Sequence, residues 1–208
     1  MTATVEKFDA RFYGKHRATV VDNADPENLG RLKLQIPHVL GEDVVSGWAT
    51  PCVPYGGAPD QGFFFIPEVG ASVWVEFEMG NLEFPIWVGT FWGKPGGDAE
   101  PPKPNDADGT EQSDVQSPPT RKIIKTLKGH TIQIEDADDE DLILIFEKTN
   151  GNIIALDKNG IKLTDKTGNV IEMSTSAFKI TAKKAFTIDA TGQAITIKGK
   201  TIDLNKAE

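Results

Sequence analysis

The sequence predicts an all-β protein in two parts, a small closed barrel followed by a stacked β rod. Three observations carry this. Residues 17–92 show no helical period and read as short strands broken by Gly, Pro, Asn and Asp. Residues 93–120 are rich in Pro and Gly and almost free of apolar residues. After them, small apolar clusters recur about every eight positions.

The chain has 208 residues, enough for one large or two small domains, and its 38 % apolar content permits a core. The first residues, MTATVEKFDARFYGK, hold no apolar signal core, and no apolar run is long enough to span a bilayer. A single cysteine, Cys52, excludes an intrachain disulfide and fits synthesis in a reducing cytoplasm. Charge is uneven. Residues 1–120 carry 8 Lys/Arg against 18 Asp/Glu, whereas 121–208 carry 14 against 13. An acidic first half repels phosphate backbones, so no nucleic-acid partner is expected there.

The elements follow in order. Residues 1–16 form an arm of mixed character. Ala18–Val21 is strand-like and ends in the turn cluster Asp22–Pro26. Gly30 opens Arg31–Ile36, where Leu32, Leu34 and Ile36 share one face and Pro37 ends the strand. Ser46–Ala49, with Trp48, starts another extended stretch, and Pro51–Pro59 is loop-like. In Ser72–Met79 the alternation puts Val73, Val75, Phe77 and Met79 on one face, with Trp74, Glu76 and Glu78 on the other. Gly80-Asn81 signals a hairpin turn before Phe84–Thr90. About five strands with glycine at the corners predict a small barrel such as an OB-fold over residues 1–92. Residues 93–120 read as a linker, part stiff and part flexible.

In 121–208 the apolar pairs include Ile153-Ile154, Ile161/Leu163, Val170-Ile171, Phe178/Ile180, Phe186/Ile188, Ile195/Ile197 and Ile202/Leu204. Each unit reads as one short strand and one turn, with Gly151, Gly160, Gly168, Gly192 and Gly199 at the bends. Strands this short must stack, and a lone chain would leave a long apolar stripe wet. Pairing with further copies of the chain is therefore expected.

Five segments in order resemble the spike proteins of contractile injection machines. They are Gly30-Arg31-Leu32-Lys33-Leu34, Ser46-Gly47-Trp48-Ala49, Gly62-Phe63-Phe64-Phe65-Ile66-Pro67-Glu68-Val69-Gly70, the Val73–Glu78 strand and Pro85–Gly89. Lys125-Thr126-x-x-Gly129-His130 resembles the family's entry into its needle. The family includes the gp5-like spikes of contractile phage tails and the VgrG proteins of type VI secretion. The resemblance implies an OB-fold followed by an intertwined triple-stranded β-helix in a homotrimer. Its needle core here would be Ile153, Ile161, Leu163, Ile171, Phe178, Ile180, Phe186, Ile188, Ile195, Ile197, Ile202 and Leu204. It also implies a separate hub protein at the barrel end and a PAAR-like tip protein at the other. Assembly would be into a virion or tail-like particle that meets a target envelope. The larger relatives' lysozyme domain has no counterpart in the 93–120 linker. A His-x-His metal tip is missing too, since His16, His38 and His130 lie far upstream. No cofactor, metal or catalytic residue is implied.

Glu76 and Glu78 share a predicted strand face and would suit acid–base work on a glycan, but a solvated face is the plainer reading. The acidic run Glu135–Asp141 lacks the glycine and terminal Glu of a calcium loop and reads as a solvated turn. His130 has no neighbouring Cys or Ser to complete a site and reads as a packing residue. Cys52 reads as a small buried side chain. Phe63, Phe64 and Phe65 would suit base stacking in an OB-fold, but few cations accompany them. The expected arrangement has alternate phenylalanines filling the barrel and the rest facing a partner. A spike is thus the leading reading. An OB-fold binding module for nucleic acid or glycan, with a trimerising tail, is the alternative.

Overall fold

The computed structural model describes residues 11–113 and 117–204. The chain divides into two compact units, Met1–Pro101 and Pro102–Glu208.

The first unit contains β1 (His16–Asp22), β2 (Lys33–Gln35), the one-turn helix α1 (Pro37–Leu40), β3 (Thr50–Pro51), β4 (Ser72–Phe77) and β5 (Pro85–Thr90). The sheet order is β2-β1-β4-β5-β3, antiparallel except for the parallel pair β3–β5. The ring closes where β2 meets β3. Leu32 N–H donates to the Ala49 carbonyl (3.1 Å), and Ala49 N–H donates back to Leu32 (2.7 Å). Ser46 N–H adds a bond to the Leu34 carbonyl (2.8 Å). That closure joins the sheet's two outer strands, the device by which small barrels protect their edges. Inside sit Val20, Leu32, Leu34, Ile36, Val73, Val75, Phe77 and Trp87. The period-2 alternation puts them there, as the buried positions of β4 show.

Three expectations are corrected in this unit. Met79 does not continue the inner face. The strand ends at Phe77, and Met79 lies in a 3-10 turn with φ 50°, 77 % exposed. Glu78 joins the same turn, so Glu76 and Glu78 do not share a strand. Pro37, which ends the β2 segment, also starts α1, because its fixed φ suits the first helical position.

The second unit is an antiparallel meander of β6 (Arg121–Lys125), β7 (Thr131–Glu135), β8 (Leu142–Glu147), β9 (Asn152–Asp157), β10 (Gly160–Thr164), β11 (Val170–Ser174) and β12 (Phe178–Thr181). Residues 182–204 form no strand within the single chain. Register sorts the side chains cleanly. One column on one face runs Ile124, Ile132, Ile145, Ile154, Leu163, Ile171, Ile180. A second column on that face runs Ile134, Ile143, Leu156, Ile161, Met173, Phe178. The opposite face is mostly polar, with an apolar island of Leu144, Phe146 and Ala155 flanked by Leu142 and Ile153.

Residues 102–113, expected as linker, do not hang free. They form a small strap over the island, with Pro104 and Asn105 fully buried. The partner that orders them is Gln133. Its side-chain carbonyl accepts the Asn105 N–H (2.8 Å), and its amide donates to the Asn105 carbonyl (2.9 Å).

The turns along one end of the meander repeat every seventeen residues. Asn152 Oδ1 accepts the Lys166 N–H (3.0 Å), and Asn169 Oδ1 accepts the Lys183 N–H (2.7 Å). In the second of these turns Asp165 Oδ1 accepts the N–H groups of Thr167 and Asn169, both at 2.8 Å. The Asn169 side-chain amide bonds Asp165 as well, and with burial opposing, these bonds pull its carboxyl down to about 2. Of the glycines expected at bends, Gly151, Gly160, Gly168 and Gly192 take positive φ and Gly199 does not.

Candidate functional site

The motif residues of the barrel form one connected structure. Asp25 is its centre, although in sequence it is only one more turn residue. Its carboxylate accepts N–H groups from Glu27 (3.0 Å), Leu29 (2.8 Å) and Arg31 (3.2 Å). The Arg31 guanidinium adds a 2.6 Å ion pair, and this contact above all holds the Asp25 carboxyl well below the usual carboxylate range. Arg31 also pairs with Glu27 (3.1 Å) and lies 5.7 Å over the Trp48 ring, which Lys33 approaches to 4.9 Å. Gly30 has φ +74°, and its carbonyl accepts the buried indole N–H of Trp87 (3.1 Å).

The string Gly62–Gly70 is anchored at both ends and bare in the middle. Phe63 N–H donates to the Tyr55 carbonyl (3.0 Å). Ile66 packs against the barrel core, Asn23 donates to the Pro67 carbonyl (3.0 Å), and Gly70 N–H donates to Val20 (2.8 Å). The Glu68 carbonyl accepts the Ala71 N–H (3.0 Å) and shapes the turn into β4. Between the anchors Phe63, Phe64 and Phe65 are all exposed, Phe64 by 74 %. None of them fills the barrel, which corrects that expectation: the core is already complete with Trp87, and Ile66 is the string's inward residue. Phe63 instead meets Tyr55 (5.9 Å) and Phe65 (6.1 Å) edge-on or tilted. The loop 52–67 that carries this apolar surface includes Asp60 and no Lys or Arg, so it lacks the cations a nucleic-acid strand needs.

Lys125–His130 is the turn between β6 and β7. Thr126 Oγ1 accepts the His130 N–H (3.1 Å), and the Thr126 carbonyl accepts the Gly129 N–H (2.8 Å). Lys125 leaves the turn to pair with Glu111 of the strap and to donate to the Lys103 carbonyl (2.9 Å). His130 Nδ1 is 3.9 Å from Glu147.

The expected rod core divides in two. Ile161, Leu163, Ile171, Phe178 and Ile180 lie on the open two-column face. Ile153 does not, because neighbouring strand residues point oppositely; it sits by the island, and Ile154 takes the column position. Phe186, Ile188, Ile195, Ile197, Ile202 and Leu204 are exposed and outside any strand. Exposure within the columns reaches 66 % at Phe178, while Leu156, Ile161 and Leu163 are half-buried.

The candidate chemical groups are placed apart. Glu76 is ion-paired with Lys15 at 2.5 Å. Glu135, first of the acidic run, turns inward. Burial pushes its carboxyl up, but bonds from Thr120 and Arg121 and the Ala137 N–H outweigh burial and hold it below its ordinary value. Cys52 is exposed, not buried as expected, because it lies past the end of β3 in the loop. No group of three or more His, Cys, Asp or Glu suited to a metal exists among the described residues, and no described helix is long and apolar enough to cross a membrane.

Residues 16–92, from the first strand of the barrel to just beyond the last, match the family of the type VI secretion system/phage-baseplate injector OB domain. No curated protein matches the chain. The matched span takes in the Asp25–Arg31–Trp48 cluster, the Gly62–Gly70 string and the closed five-stranded ring, so motif, topology and family agree on one reading. The barrel at residues 16–92 is thus similar to the injector OB domain of type VI secretion systems and phage baseplates.

Proposed function

We infer that this chain is the central spike of a contractile, phage-tail-like injection machine and works as a homotrimer. The reading rests on one observation above others, the open two-column apolar face of the β6–β12 sheet. Burying an aliphatic side chain is worth roughly 1.5–3 kcal/mol. Covering two columns therefore supplies on the order of tens of kcal/mol per chain, and only a partner with the same column spacing matches them along their length. A further copy of the chain has that spacing. Three such sheets close into a prism with the columns inside.

Residues 182–204 extend the same scheme. Their pairs Phe186/Ile188, Ile195/Ile197 and Ile202/Leu204 keep the rhythm while finding no strand partner in their own chain. In the proposed trimer their partners come from the other two chains, giving an intertwined β-helix. The barrel docks on a separate hub protein, and a PAAR-like protein caps the far end. The role is mechanical. Sheath contraction drives the rod through the target envelope, and load is spread over interchain hydrogen bonds and a continuous apolar core. No catalytic residue, metal or cofactor takes part.

Light scattering on the purified full chain is expected to give the mass of three chains. A monomeric mass at micromolar concentration would overturn the reading.

A further inference from the structure

The strap 102–113 has a built seat on the sheet face opposite the columns. Gln133 holds its backbone from both sides at Asn105, and the Asn105 amide closes the strap's own turn on the Gly109 carbonyl (2.9 Å). Arg121 and Lys125 of β6 reach Gln112 and Glu111. Approach is close at the tip. A Cβ on Gly109 would stand 2.9 Å from the Phe146 ring and 3.3 Å from Ile153. The covered island of Leu144, Phe146 and Ala155 is the apolar part of a face that otherwise presents residues such as Lys162, Thr164 and Glu172. Outward, the strap shows solvent Lys103, Asp106, Asp108, Thr110 and Glu111, all exposed.

The sheet therefore carries two apolar areas of different fate. One is open and repeats along all seven strands. The other is short and sealed under charge. A sheet sticky on both faces can associate through one face and then again through the other, which makes an open-ended assembly. We propose that the strap is a mask: it seals the outer island so that copies of this chain join through the two-column face alone and assembly stops at three. The inference rests on the trimeric reading above and adds what limits it.

The test uses the full chain in two forms. One replaces 103–112 by a Gly/Ser segment of equal length. The other combines Gln133→Leu, which removes both backbone bonds, with Ala107→Asp, which sets a carboxylate against the island. Native mass spectrometry and sedimentation over a wide concentration range read the chain number. Circular dichroism reads strand content, and limited proteolysis within the strap of the substituted form reads its release. The wild type is expected at three chains throughout. Strap-released forms are expected at six chains and more, growing with concentration, and Phe146→Asp in the same background is expected to return them to three. A folded, strap-released form that stays at three chains overturns the mask and leaves the trimer standing. Loss of strand signal in both forms also overturns it, because the strap would then belong to the folding core. A wild type that is not three chains overturns the trimeric reading and the mask with it.

Discussion

Asp25 and Gly30 show how much of the barrel rests on single residues. The Asp25 carboxylate binds three N–H groups and one guanidinium, all of which favour its charged form. Its folded value is depressed, so its contribution to stability is complete above the unfolded value of 3.8 and is lost as pH falls through the folded one. The barrel's melting temperature is expected to drop on acidification below about pH 4. In Asp25→Asn it should start lower at neutral pH and fall less steeply, as calorimetry across pH would record. At Gly30 the left-handed backbone costs a non-glycine residue about 1–2 kcal/mol. The Ile66 Cδ1 atom that a Cβ would meet at 2.7 Å is the far end of a side chain and can swing aside. Gly30→Ala is thus expected to destabilise by about that strain, with Ile66→Val in the same chain recovering little of it in denaturant melts. Trp87→Phe strands the Gly30 carbonyl without its indole donor and should cost about 1–3 kcal/mol.

At the scale of elements, the sheet's two faces decide what association requires. Ile145→Asp, in the first column, and Ile188→Asp, beyond β12, are both expected to break the trimer. Lys183→Ala should leave it intact, because the bond Asn169 accepts comes from the Lys183 backbone, which the substitution keeps. Size-exclusion chromatography with light scattering separates these outcomes. The strands β9–β12 were legible in the sequence because period-2 alternation and turn residues are local signals. What was not legible depends on distant partners. The strap has the composition of a linker, and only Gln133, some thirty positions on, orders it. Asp25 looks like any turn acid until Arg31 folds back on it. The choice between Ile153 and Ile154 is a matter of register, which adjacent isoleucines leave open until the neighbouring strand fixes it. Alternation along Phe63–Phe65 predicts that some of these rings enter the barrel and the rest face a partner, yet Trp87 fills that space and all three stay outside.

For the whole molecule, two units with separate cores and different needs follow from the uneven sequence. The barrel closes on itself and buries the inner face of its strands within one chain, whereas the meander leaves an apolar face running along all its strands open. Residues 1–101 alone are expected to be folded and monomeric, and 102–208 alone to hold three chains, as sedimentation would show. The full chain should then melt in two steps, with only the second dependent on protein concentration.

The Asn152 and Asn169 bonds recur with a spacing of seventeen residues, and each spacing takes in one hairpin. Two strands add roughly 9.6 Å at the usual spacing between neighbours. A seventeen-residue duplication therefore lengthens the sheet by one such step and returns every side chain to its own face and every turn to its own edge. An eight-residue insertion would send the following turns to the opposite edge. Length in this protein is counted in hairpins, so reach can be tuned by whole units without redesigning either end.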